Sequence, residues 1–396
     1  MIAFSRRAVL LAGAASVFGG SVSTAKILPS SKLDLWNNAT GPHLRGAVLA
    51  QRRVYTSLDG SVFLGDGAVG TPVTDAALQA LVQSGANLVI LSHPGTYTEQ
   101  APHIPDPAIE AHLDDMIDRC EQVGLFAVIG LRTGPGRSEF TFHKADAGSW
   151  FDEAMIDDSV WTSQAAQDGW ARMWESLATR YRHRPNVAGY LMMVEPNANQ
   201  SAPDGQGGIL DEWDPERLAR FTDGRLSDWP SLSRRLARRI RSVDPETPIL
   251  VSPDGFAHRR FASLLDLNDT SGMVLAVHNY APRRYTHQAR EDDLDFAPHE
   301  ADFAPMNATH WMVGEFGTAR WAPRASEYLR QQVSAFEQAG AGWAVFRWDS
   351  GWRVYERQEN MFNPLYGAQP DNTDLPQTAP MLEMLSTLWG SNTRRP

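Results

Sequence analysis

The sequence predicts an α/β protein folded as a single (β/α)8 TIM barrel with long βα loops at its C-terminal face, and three observations carry that prediction. Eight short apolar runs recur between residues 44 and 348, most of them continuously apolar, as parallel strands buried on both faces should be. Segments of helical period lie between several of these runs. The segments leaving the runs are long and those returning to the next run are short, so one end of the barrel is elaborated for binding. A doubly wound sheet is the competing fold. It favours a glycine-rich phosphate loop after its first strand, and Gly46-Ala47-Val48-Leu49-Ala50 offers none.

The eight runs cover residues 44–49, 87–92, 125–132, 187–195, 248–252, 273–278, 311–316 and 342–348. Helical patterns fill 75–84, stopped by Gly85, and 106–123, stopped by Gly124. In the second of these, Cys120 shares an apolar stripe with Ile109, Leu113, Met116 and Ile117, so the only cysteine of the chain is read as buried packing. Further helices are expected over 162–182, 228–243, 324–338 and 379–389, while the stretches after the fifth and sixth runs are the least legible. The long segments are a hairpin-like 54–64 turning at Asp59-Gly60, then 133–161, 196–227, 279–310 and 349–378. Each leaves the carboxyl end of a strand, where barrel enzymes build their sites.

The first 25 residues are expected to be an address rather than structure. Arg6 and Arg7 precede an apolar run, and Ser23-Thr24-Ala25 has the small residues of a cleavage site. The paired arginines point to twin-arginine export, with a chance pair in an ordinary secretory signal as the alternative. The reading is a signal over 1–25, a catalytic domain over 26–396, and a periplasmic or secreted protein with no membrane span. A formal charge of −11, from 36 basic and 47 acidic residues, argues against nucleic acid as a partner. No zinc-type His/Glu motif, His/Cys cluster or acidic calcium loop occurs, so no metal or other cofactor is expected. The absence of a Gly-x-Ser-x-Gly elbow argues against an α/β-hydrolase.

Two carboxylates then stand out. The fourth run delivers Glu195-Pro196-Asn197, and the seventh delivers Glu315-Phe316-Gly317. A carboxylate closing an apolar strand is costly unless it is paired or solvated. One such glutamate is as readily a cap or an arginine partner as a functional group; two, from opposed strands of a barrel, are a candidate pair.

At these residues the chain resembles the clan A retaining glycoside hydrolases, and most of all glycoside hydrolase family 5, the cellulase and mannanase family. Glu195-Pro196 matches the family's Asn-Glu-Pro motif after strand 4, Glu315 its strand 7 glutamate, His278-Asn279-Tyr280 its His-x-Tyr, and Trp348 its strand 8 tryptophan. The departures are Val194 in place of the asparagine, no counterpart of a strand 2 arginine, and Arg132-Thr133-Gly134-Pro135-Gly136 where a histidine is common. The resemblance implies Glu195 as acid/base and Glu315 as nucleophile, with Tyr280 holding Glu315 ionised and Trp348 as a floor beneath the sugar. His278 is expected to touch substrate or orient a carboxylate; Arg132 and Asn197 complete the candidate substrate contacts. A negative Glu315 nearby is expected to raise the pKa of Glu195.

Trp343 is read as core, and Trp150, Trp161, Trp213, Trp321 and Trp352 as candidates for outer subsites, a minority of which should serve. Arg132, Arg137, Arg283, Arg284, Arg320, Arg347 and Arg353 recur near the same face. They mark either a site for a uronic-acid-bearing polysaccharide or partners of Asp146, Asp292, Asp293 and Asp349. The function implied is retaining hydrolysis of β-linked oligo- or polysaccharide. Its rivals are a non-catalytic carbohydrate-binding protein on the same barrel, prompted by Val194, and a transglycosylase.

Overall fold

The computed structural model describes residues 31–59, 65, 67–288, 308–352, 361–372 and 379–396. The expected leader at 1–25, the turn at Gly60, Asp292, Asp293 and Arg353 lie outside them. Eight parallel strands close a barrel: β1 (Arg45–Ala50), β2 (Leu88–His93), β3 (Phe126–Leu131), β4 (Val187–Leu191), β5 (Ile249–Val251), β6 (Met273–Asn279), β7 (Trp311–Phe316) and β8 (Gly342–Val345). Each strand pairs with its sequence neighbours, and β8 returns to β1 through Gly46 opposite Ala344. This is the (β/α)8 barrel that the sequence predicts.

Among the described residues, the helices of eight or more residues are α1 (Asp75–Gln83), α2 (Pro107–Val123), α3 (Gln164–Tyr181), α4 (Pro215–Thr222), α5 (Trp229–Arg241), α6 (Ala325–Gln338) and α7 (Pro380–Trp389). Their starts are chemical. Thr74, Asp106, Ser163, Asp214 and Asp228 each accept a hydrogen bond from a backbone N–H of the first turn. Gly124 ends α2 in the left-handed conformation. After β5 a four-residue helical turn (Asp254–Ala257) and a 3-10 helix (Arg259–Leu264) take the helix position, which explains why no helical period was legible there. The expected hairpin is a two-residue antiparallel pairing of Arg52–Arg53 with Val69–Gly70, so its arms lie outside 54–64.

The core has two compartments set by alternation along the strands. Val48, Leu88, Ile90, Phe126, Val128, Ala188, Leu250, Val274, Ala276, Met312 and Ala344 fill the barrel interior. Their strand neighbours, such as Val89, Ala127, Tyr190, Val277, Val313 and Trp343, face the helices. Cys120 belongs to this outer shell, fully buried. The lower end of the barrel is plugged by a 3-10 turn, Lys32–Trp36. Leu35 and Trp36 join the interior cluster, and the Trp36 indole donates to the Ala188 carbonyl at 3.0 Å. The tail meets the same end: Asn392 donates to the carbonyls of Arg45 and Gly85, and Arg394 to that of Asp34.

Candidate active site

The upper ends of the strands bring the two glutamates together. Glu315 lies within β7, but plain alternation from the inward Met312 would turn it outward. The β6–β7 register shifts by one residue between Val277, opposite Val313, and His278, opposite Glu315. That irregularity flips Glu315 into the barrel, while Phe316 joins the outer shell. Gly314 fills the shift; a Cβ there would lie 3.4 Å from the His278 ring.

Glu195 is seated differently. β4 ends at Leu191 rather than running to residue 195 as expected. The chain then bends, with the Val194 N–H donating to the Leu131 carbonyl at 2.8 Å, and Glu195 takes a left-handed φ of 53°. Arg137 holds that bend: its guanidinium donates to the carbonyls of Val194 (2.8 Å) and Glu195 (2.6 Å).

His278, inward on β6, stands between the carboxylates. Its Nδ1 is 2.9 Å from Glu195 Oε1 and 3.4 Å from Glu315 Oε2, and the three groups have polar atoms within 4.8 Å of one another. Tyr280 donates its hydroxyl to Glu315 Oε2 at 3.0 Å. The same three groups are near enough to share a cation, but hydroxyl and ring N–H donors against the carboxylates make a proton-handling site rather than a ligand set.

The electrostatics reverse one expectation. Burial, joined by the negative Glu195, pushes Glu315 up to about 7. Burial also raises Glu195, but the hydrogen bond and charge of His278, with Arg132 and Arg137, more than offset it and leave that carboxyl lowered. The raised member of the pair is therefore Glu315, because the cations cluster on the Glu195 side. The two carboxyls titrate together, with Glu315 the raised member.

Arg132 continues the inward series of β3 and reaches the mouth. Glu139 accepts from its Nε at 2.9 Å, and its guanidinium lies 3.8 Å from the Phe142 ring centre. Glu139 was not among the acids expected to pair with these arginines. Asn197 is buried, its amide donating to Ser201 at 3.0 Å and accepting from Arg137 at 3.4 Å, so it braces the bend instead of facing the cleft.

Trp348 is not the floor. It is 1 % exposed, donates its indole N–H to the Ala77 carbonyl of α1 at 2.9 Å and packs on Trp389. The strand alternation ends with β8 at Val345, and the chain turns before residue 348 can face inward. The inward aromatic is Phe346, next after Ala344, with its ring edge-on to Tyr280 (6.3 Å) and Phe362 (5.7 Å). Trp343 is core as expected; Trp161, a candidate for an outer subsite, is buried in the core instead, whereas Trp150 and Trp352 stay exposed in the loops. Arg320 is buried and spent on carbonyls of residues 367–372. Reading the sequence missed Glu139 and Phe346 and placed Arg137 near this face only as a candidate for an anionic sugar or an acid partner; of the two missed, only Phe346 had a signal, the parity with Ala344.

Comparison with known proteins gives a consistent result. One family profile, cellulase (glycosyl hydrolase family 5), matches residues 54–351. A cellulase/esterase of Acetivibrio thermocellus is 21% identical over 72% of this chain, and a β-xylosidase of Phanerodontia chrysosporium 34% identical over 24% of it. The chain spans 34% and 18% of the lengths of those two curated relatives. Among solved structures, an endoglucanase of Pseudomonas stutzeri superposes with a TM-score of 0.61 at 14% identity, covering 90% of this chain and 97% of that one. An endoglucanase of Thermotoga maritima gives 0.57 at 15% identity over 90% and 99%.

Proposed function

This chain belongs to the cellulase family, glycosyl hydrolase family 5, and we propose that it hydrolyses β-linked oligo- or polysaccharide with retention of anomeric configuration. The observation that carries the mechanism is the close approach of the glutamates, whose carboxylate oxygens lie within 4.8 Å of each other. A retaining pair needs a gap of about 5 Å, whereas an inverting pair leaves roughly 6.5–9.5 Å for a water between them. Glu315 attacks the anomeric carbon, and its charge passes into the covalent glycosyl–enzyme bond. Glu195 gives its proton to the departing oxygen, then takes one from the incoming water. The reaction needs Glu195 protonated and Glu315 ionised, and the close approach of the two carboxyls lets them exchange the proton. Tyr280 steadies the attacking oxygen of Glu315, and Arg132 presents terminal nitrogens that make no hydrogen bond among the described residues.

Phe346 forms the apolar floor, and Arg132 takes over contacts that Val194, with no polar atom in its side chain, cannot make. Export through the 1–25 leader places the enzyme outside the cytoplasm, where polymeric glycans are met. The test is proton NMR of a β-glycan digest made with residues 26–396. A β-anomer appearing first supports retention, and an α-anomer appearing first refutes it. Binding without release from any β-glycan, unaltered in Glu315→Gln, would establish the carbohydrate-binding rival instead.

A further inference from the structure

We propose that Arg137 is a positioning residue that aims Glu195, an inference that rests on the acid/base role given to Glu195 above. The argument begins in the turn after β3. Gly134 and Arg137 exchange backbone hydrogen bonds at 3.0 and 2.8 Å, and Gly136 takes a left-handed φ of 66°. The turn is wedged against α3: a Cβ on Gly136 would lie 2.7 Å from that of Ala166, and one on Gly134 2.9 Å from the Trp170 ring. Trp170 also donates its indole N–H to the Pro135 carbonyl at 2.8 Å. Arg137 thus springs from a base that has nowhere to move.

From that base the guanidinium reaches under the mouth. Nη1 donates to the carbonyls of Arg132 (3.0 Å) and Val194 (2.8 Å), and Nη2 to the carbonyl of Glu195 (2.6 Å) and to Asn197 Oδ1 (3.4 Å). The side chain is 0 % exposed, and no carboxylate among the described residues lies within ion-pair distance of it. A buried cation spent on neutral carbonyls is costly and needs a reason beyond charge pairing. Burial, with Arg132 adding to it, draws Arg137 down to about 9, which still leaves it charged at neutral pH.

The reason lies in the backbone it holds. Glu195 is a non-glycine residue in the left-handed region, a conformation that persists only where its surroundings over-determine it. Arg137 fixes the carbonyls on both sides of the Glu195 Cα, and the direction of the Glu195 side chain follows. With that direction set, Oε1 meets His278 at 2.9 Å. Loss of the clamp lets the turn relax and the proton donor swing away from the leaving oxygen, while Glu315, carried by β7, stays in place.

Leaving-group dependence separates this from general damage to the fold. A phenyl β-cellobioside needs a proton on its departing oxygen; the 2,4-dinitrophenyl analogue does not. Arg137→Met should lower kcat/KM on the phenyl substrate by about 100-fold or more, and on the dinitrophenyl substrate by less than about tenfold. Arg137→Lys, which keeps the charge and part of the hydrogen bonding, should fall between the two proteins. Equal losses on both substrates, or no loss on either, overturn the proposal. Should Arg137→Met fail to melt cooperatively, the same ratio measured on Arg137→Lys decides by the same criterion. Wild-type protein inert to both cellobiosides and to other aryl β-glycosides overturns the proposal together with the function beneath it, and needs no variant to show it.

Discussion

The two glutamates sit within a few ångströms of each other on seats built by different means. Glu315 belongs to a strand: β6 and β8 flank it, and a one-residue register shift turns it inward. Glu195 lies four residues beyond the last residue of β4, in a left-handed bend held by a side chain from another loop. A ladder-borne group inherits the rigidity of the sheet, whereas a bend-borne group is only as fixed as its clamp. The division suits the reaction proposed above. The nucleophile needs a constant line of attack on one carbon, and the acid/base must serve a leaving oxygen first and a water second.

Removing each carboxylate gives the largest expected effects and the sharpest contrast. Glu315→Gln should abolish turnover on every substrate, by at least about 10⁴-fold, because no glycosyl–enzyme can form. Glu195→Gln should cost about 10²–10⁴-fold on substrates with poor leaving groups and far less on 2,4-dinitrophenyl glycosides. Added azide should restore turnover to the second variant as glycosyl azide and not to the first. Azide rescue of Glu315→Gln with a product of retained configuration would mean that the two roles must be exchanged. The same pair sets the pH response. Wild-type kcat/KM should fall above pH about 7, where the last shared proton leaves. In Glu195→Gln, assayed on the dinitrophenyl substrate, that fall should disappear.

The aromatic residues of β8 repeat the contrast at smaller scale. Phe346 follows the ladder inward, and Trp348 lies past its end against α1. Phe346→Ala should lower kcat/KM by about tenfold or more, worth roughly 1.4 kcal/mol, with a modest change in Tm. Trp348→Phe should leave kcat/KM within about threefold and destabilise by about 1–3 kcal/mol, since it removes a buried indole hydrogen bond and part of a packed ring. The reverse pattern would restore Trp348 as the floor.

The smallest effect is thermodynamic. A carboxyl whose folded pKa is about 7 against a reference of 4.5 binds its proton more tightly in the native state. Its unfavourable ionisation is absent below pH about 4.5, grows between 4.5 and 7, and is complete above 7. Glu315→Gln should therefore raise Tm by several degrees at pH 8 and by little at pH 4.5. An equal gain at both values would show that Glu315 is not held neutral by its seat.

The sequence was legible where periodicity rules. All eight strands were readable as apolar runs, and α1 to α3 and α5 to α7 from their stripes and caps. Both glutamates stand at the ends of apolar runs, and His278 and Tyr280 were found from the family's His-x-Tyr pattern at the end of another. What lay hidden is what periodicity does not encode. The shift at Gly314 changes which side of β7 the glutamate faces without altering the apolar pattern, and the run to Val194 continued past the true end of β4. Trp348 was chosen over Phe346 because the run was read three residues too long. Arg137 was read only as one of several arginines near the mouth; its hold on Glu195 gave no signal, since it rests on carbonyls 57 and 58 residues away in the chain. The proton was assigned to the other glutamate because the cations beside Glu195 come from three separate strands and loops.

The plug at the lower end of the barrel settles how the molecule can be handled. Lys32–Trp36 and the tail at 392–395 touch each other there, on the face opposite the carboxylates. Ser31, the first described residue before that plug, therefore stands at the barrel's floor, on the side away from the cleft. The same geometry gives a tether point: anchored by its underside to a bead or a partner protein, the barrel would hold its mouth toward an insoluble polymer that cannot diffuse to it.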